Sequence, residues 1–248
     1  MKKHLLLSLA ILLLAVPAWS GDYDLDLDLN IAQDTFNSLV KEVGTMTAYR
    51  ALAPAEPQGV TGFDVGVAAS LVEIDSDLWA LAMDASTTDF EGQDYLAVPT
   101  LRVRKGLPFG IDVGASYAQV PDSDVEIIGA ELQWALLEGS VATPAFALRG
   151  SWSSLEGVDD LSISTYAADA VLSKGFAMLT PYVGIGVVAV DGKIENNIIS
   201  ATNLIEDYDT TMTRYFGGVQ MAMAIVRLTA DIEYLEQPVY SLKVSVGW

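Results

Sequence analysis

Tyr240–Trp248 reads YSLKVSVGW. Tyr240, Leu242, Val244, Val246 and Trp248 share one face of an extended chain, and Ser241, Lys243, Ser245 and Gly247 share the other, because strand side chains alternate. The end of a soluble sheet is usually a frayed polar tail. A strand that keeps an aromatic ring to its last position is suited to an apolar surrounding along its whole length.

The same alternation recurs upstream. One parity is apolar in Phe63–Leu71, Ala97–Val103, Phe109–Tyr117, Ile128–Leu136 and Phe146–Trp152, and again in Tyr166–Leu172, Val183–Ala189, Tyr215–Met221 and Leu228–Tyr234. With the last segment these are ten candidate strands of about 9 to 13 residues each, the length of transmembrane β-strands. Asp64, Arg102, Arg104, Asp112, Glu131, Arg149, Asp169, Arg214, Asp231, Glu233 and Lys243 fall inside these segments, and each has the opposite parity.

A β-sandwich would alternate too, but its connections need not differ between its two ends. Here KGLP, LEGSVAT, SKGFAML and MAIV are short, while most connections at the other end, such as VEIDSDLWALAMDASTTDFEGQD, QVPDSD, SLEGVDDL and DGKIENNIISATNLIEDYD, are longer and acidic. The pattern predicts an all-β fold, a transmembrane antiparallel up-and-down barrel of about ten strands (8 to 12), with a short N-terminal amphipathic helix. Tyr95, Tyr117, Trp152, Tyr182, Tyr234 and Trp248 lie near strand ends, where two interfacial aromatic girdles are expected.

The other end of the chain indicates export. Residues 1–20 have a basic start, an apolar run from Leu5 to Val16 and small residues at Ala18 and Ser20, the pattern of a signal peptide. The predicted organisation is residues 1–20 as signal, 21–59 as a leader with a periplasmic or plug helix, and 60–248 as the barrel. Hydrophobic residues make up 51% of the chain and its mean hydropathy is +0.34. No cysteine occurs, which excludes disulfides and a lipid-bearing cysteine. The 13 basic residues less Lys2 and Lys3 face 33 acidic ones, a formal mature charge of −22, so nucleic acid is not an expected partner.

The closing segment resembles the C-terminal assembly signal of Gram-negative outer-membrane β-barrel proteins, with Tyr240, Leu242, Val244, Val246 and Trp248 as its apolar positions and Trp where Phe is usual. Tyr49–Val67, YRALAPAEPQGVTGFDVGV, is similar to exported barrel-like bacterial proteins and brings no activity with it. The resemblance implies an outer-membrane location, contact with lipid and lipopolysaccharide, and recognition by the barrel-assembly machinery.

Hairpin geometry predicts a charge network in the lumen from Asp64, Arg102, Asp112, Glu131, Arg149, Asp169, Asp231, Glu233 and Lys243. Folding about KGLP brings Arg102 toward Asp112, and folding about LEGSVAT brings Glu131 toward Arg149. The next hairpin adds Asp169 to Arg149, and EQP brings Lys243 near Asp231 and Glu233. A ten-strand lumen crossed by ion pairs is expected to be filled, since wide aqueous channels need about 16 strands. Upstream, Asn30 with Gln33 is a candidate N-terminal cap for a helix carrying Phe36, Leu39, Val40 and Val43 at helical spacing. That helix is expected at the periplasmic mouth, in the lumen, or against a partner.

Catalytic, cofactor and metal sites are not expected. The only histidine is His4, in the signal, so His-based serine hydrolysis, Cys nucleophiles and His-ligated zinc have no residues. In DYDLDLDLN, an EF-hand loop starting at Asp24 would need glycine at its sixth position and glutamate at its twelfth, where Leu29 and Thr35 stand. The acidic outer connections are expected either to gather divalent cations between lipopolysaccharide phosphates or to form a solvated, repulsive face. The function expected is that of a non-enzymatic barrel serving envelope structure or surface interaction. The alternatives are a narrow channel or carrier for small or apolar solutes, and a soluble periplasmic ligand-binding β-protein.

Overall fold

The computed structural model describes residues 32–82, 94–119, 125–158, 161–194 and 205–248. The signal, the DYDLDLDLN leader, Asn30 and the loop acids Asp84, Asp89 and Glu91 lie outside these residues. Ten strands follow in order: β1 (Phe63–Glu73), β2 (Tyr95–Gly106), β3 (Ile111–Gln119), β4 (Glu126–Leu137), β5 (Ala145–Glu156), β6 (Leu161–Ser173), β7 (Leu179–Ile194), β8 (Tyr208–Met223), β9 (Val226–Tyr234) and β10 (Pro238–Gly247). Each pairs antiparallel with its sequence neighbours, and β1 pairs with β10, so the sheet closes. The seam places Val65 beside Val246 and Leu71 beside Tyr240. It is extended by reciprocal backbone hydrogen bonds between Phe63 and Trp248, each 3.1 Å. Closure leaves no sheet edge unpaired, which a barrel in lipid requires.

Short turns join the strands at one end, the turn end. The longest connections, β1–β2 and β7–β8, leave from the other, the loop end, which also holds the short β5–β6 and β9–β10 connections. Within the β1–β2 connection, α2 (Ser76–Ala82) follows β1. Ahead of the barrel stands α1 (Gln33–Thr47), with Ala32 at its N-cap and no side-chain cap. Phe36, Leu39, Val40 and Val43 form its buried stripe, while Asp34 and Ser38 are exposed.

The barrel has two halves of opposite polarity. Toward the turn end the lumen side carries the charged residues, with a small apolar cluster of Ala135, Ala145, Ala147 and Val171 among them, and Val65, Leu101, Leu132, Val183, Ile185 and Leu242 face outward and exposed. Toward the loop end the lumen side is apolar. There Val72, Val98, Ile127, Leu155, Ile163, Val188, Val190 and Met212 form one buried cluster with the stripe of α1 and Trp79. The outward positions at this level include Glu156, Ser162, Ser164, Asp191, Lys193, Asp209, Thr211 and Thr213. Exposed Tyr95, Tyr117, Tyr166, Tyr215, Tyr234 and Tyr240 stand on the outer surface of the strands. Tyr182 is not one of this set. It faces the lumen and donates its hydroxyl to Asp231 Oδ2 at 2.6 Å.

Candidate functional site: a lumen filled by the chain itself

The helix is not at the turn-end mouth. Gly192 and Gly44, in β7 and α1, sit so close to their neighbours that an added Cβ would lie 2.6 Å from a Val40 methyl and 2.7 Å from a Val190 methyl respectively. Both valines belong to the loop-end core. Gln33 and Glu206 exchange hydrogen bonds at 2.8 and 3.1 Å, also at the loop end. Glu42 ties α1 to the loop-end connections, accepting from Trp79 Nε1 at 2.8 Å and from the Asp75 amide at 3.3 Å. Burial raises the Glu42 pKa above 4.5 against these donors.

From α1 the chain descends through the lumen as residues 48–58. Its backbone has no partner strand, so lumen side chains satisfy it. Ser153 Oγ donates to Thr47 O at 2.6 Å, Arg214 Nη1 to Tyr49 O at 2.8 Å, Arg149 Nη2 to Ala53 O at 3.1 Å and Gln133 Nε2 to Ala55 O at 3.1 Å. The amides of Ala55 and Gln58 donate to Ser173 Oγ and Asp112 Oδ1, at 3.1 and 3.0 Å. Arg50 donates to the carbonyls of Thr45, Met46 and Ala48 at the C-terminus of α1 and pairs with Glu233 at 3.1 Å. A cation there also complements the helix dipole.

The lumen charges assemble around this segment. Arg104 meets Asp112 at 2.9 Å and Glu131 at 3.5 Å, and Arg149 meets the same Glu131 at 3.5 Å while donating to Gln133 Oε1 at 2.6 Å. Arg214 binds Asp169 through both carboxylate oxygens and approaches Glu233 at 3.5 Å. Lys243 and Arg227 both reach Asp64, each at 3.1 Å, and Ser245 donates to it at 2.8 Å.

Several pairings differ from those that hairpin folding predicts. Asp112 is taken by Arg104, which lies nearer the turn than Arg102. Arg102 instead lies over the Tyr49 ring, 4.6 Å from its centroid. Asp169 stands directly opposite Arg149 in the β5–β6 register, but its ion pair is with Arg214 from β8. Lys243 does not go to Asp231 or Glu233; it crosses the closing seam to Asp64 on β1.

Tyr49, Arg50, Glu42 and Trp79 were not singled out by sequence reasoning, because none lies in an alternating segment. One signal for an occupied lumen was present. Lumen-facing Gly114 and Gly129 leave room for Tyr49, whose atoms an added Cβ would approach to 3.0 and 2.7 Å. Gly184 and Gly186 likewise leave room for Phe216 and Asp169. Among the described residues no group of three or more His, Cys, Asp or Glu side chains is arranged to hold a metal ion.

No family model and no curated protein matches the chain. Solved structures similar to it in part include those of three bacterial proteins or their domains. The attachment invasion locus protein Ail of Yersinia pestis, solved with the heparin analogue sucrose octasulfate, is 16% identical, with 75% of this chain and 95% of that one covered and a TM-score of 0.28. Neisserial surface protein A is 11% identical over 75% of this chain and 94% of its own, also at 0.28. The translocator domain of the autotransporter NalP from Neisseria meningitidis is 10% identical over 87% and 95%, again at 0.28. At such values the likeness decides nothing further about this chain, whose barrel is read from its own strand pairing.

Proposed function

We propose that the chain is a non-enzymatic outer-membrane barrel of a Gram-negative bacterium, embedded by its turn-end half, closed by its own N-terminal segment, and serving envelope structure or surface contact through its loop-end half. The observation that carries this reading is the reversal of polarity along the strands. An apolar exterior over a charged interior suits lipid outside, whereas a polar exterior over an apolar interior suits water outside. Tyr240–Trp248 supplies nine residues for the embedded half, within the roughly 9 to 11 that a tilted strand needs to cross. Lipid and lipopolysaccharide are the partners proposed for this exterior, and the barrel-assembly machinery for the closing strand.

The first test compares boiled and unboiled outer-membrane fractions on SDS gels. A band in that fraction that shifts on heating is expected. Recovery without detergent in the periplasmic fraction, with no shift, would replace this reading with a soluble β-protein. Planar-bilayer recordings of the intact chain are expected to be silent; conductance steps that change when Arg149 is neutralised would establish a channel instead.

A further inference from the structure

The segment inside the barrel has a direction. Its C-terminal part lies at the turn end, where Gln58 accepts from Arg227 at 2.9 Å and leads into β1. Its middle passes Arg214 and Arg149, and its N-terminal part ends in α1, beside the loop-end residues Val190, Gly192 and Glu206. The chain therefore traverses the lumen once before its first strand begins. An even number of strands normally leaves both chain ends on the short-turn face. Here the threaded segment acts as an additional crossing and carries α1 to the opposite face.

Among the described residues the lumen beside the segment is closely packed. Two cavities beside the segment, lined by described residues, are about 10 and 20 Å³. Each holds roughly one water molecule. At the loop end, by contrast, the surface of α1 at Asp34 and Ser38 is polar and exposed.

We infer that the amino-terminal side of α1 is displayed at the cell exterior, on the same face as the long loops. This rests on the outer-membrane reading, and the test separates the two. Because the chain has no cysteine, single thiols can be placed by Asp34→Cys on α1, Glu156→Cys at the loop end of β5 and Val141→Cys in a short turn. Each variant is treated with a membrane-impermeant maleimide on intact and on permeabilised cells, with Ser38→Cys as a second probe of α1. The expected result is labelling at 34, 38 and 156 in intact cells to similar extents, and at 141 only after permeabilisation, with a contrast of at least about tenfold. If 156 is labelled in intact cells while 34 and 38 behave like 141, the outward display is overturned and the membrane reading stands. If 156 and 141 are both protected until permeabilisation, the membrane orientation fails and the inference fails with it.

Discussion

Strand β7 runs through both halves of the barrel and shows how they differ. Near its start Val183 and Ile185 point outward and Tyr182 points into the lumen with its hydroxyl on Asp231. Farther along, Val188 and Val190 point inward against α1, while Asp191 and Lys193 take the outward positions. The pleat does not slip between these levels; the side of the sheet that is apolar changes. The turn-end half buries charge around a backbone segment that has no strand partner. The loop-end half buries an ordinary hydrophobic core around a helix. Alternation alone thus defines a two-sided sheet, and the kind of residue on each side identifies the medium it faces.

Disturbing the charged half is expected to have the largest effect. Arg149→Glu would place a second acid beside Glu131 and remove the donor to Ala53 and Gln133. Breaking such a buried pair typically costs about 3–5 kcal/mol, and loss of the heat-shifted gel form or a lower urea midpoint would register it. Adding Glu131→Arg is expected to restore only part, because the hydrogen bonds to Ala53 and Gln133 stay lost. Equal damage in single and double variants would remove the Glu131–Arg149 pair from the account.

In the apolar half, Phe36→Ala should cost about 3–4 kcal/mol in packing. It is expected to loosen α1, seen as a change in Trp79 fluorescence and new protease cleavage near residue 40, while the heat-shifted form persists. Loss of both together would mean that the halves fold as one unit. A smaller effect is expected at the seam. Lys243→Met leaves Asp64 with Arg227 and Ser245, and about 1.5–3 kcal/mol is the usual scale for a hydrogen bond to a charged group. A loss well beyond that, measured from the urea midpoint, would assign the seam a larger share.

The smallest effect is a pH dependence of α1. The Glu42 pKa is raised in the folded state, chiefly by burial, so more protons are bound folded than unfolded between 4.5 and the raised value. The stability it contributes is therefore fully present below about pH 4.5 and is lost as pH rises through the folded pKa. Trp79 fluorescence followed during urea titration should show α1 better anchored at acidic pH, and Glu42→Gln should flatten that trend. An unchanged slope in the variant would exclude Glu42 as its source.

The turn-end half was legible in the sequence because Asp64, Glu131, Arg149 and Lys243 mark the inward parity within apolar runs. The ten strands and their order follow from that parity and from the turns. The loop-end half was less legible. Val188 and Val190 facing in, with Asp191 and Lys193 facing out, resemble any soluble strand, and only the helix packed against them gives the pattern its meaning. Of the lumen pairs that hairpin folding suggests, only Glu131–Arg149 forms; Asp112 is taken by Arg104 on the same neighbouring strand. Lys243–Asp64 spans the seam between the last strand and the first, and Asp169–Arg214 skips a strand, so hairpin folding identifies neither pair. Residues 48–58 have no period to read. The record of their presence in the sequence is the set of small lumen positions, Gly114 and Gly129, that accommodate Tyr49.

The threaded segment also makes the lumen comparable to a peptide-binding groove whose ligand is tethered. Gln58 is separated from β1 by the four residues Gly59–Gly62, a turn closed by the Gly62 amide on Gly59 O at 3.0 Å, and a tether that short holds its ligand at an effective concentration of about millimolar or more. A free peptide of the same sequence would have to outcompete that local excess to enter. Cutting the tether alone would turn an intramolecular contact into a dissociable complex, with an affinity that can be titrated.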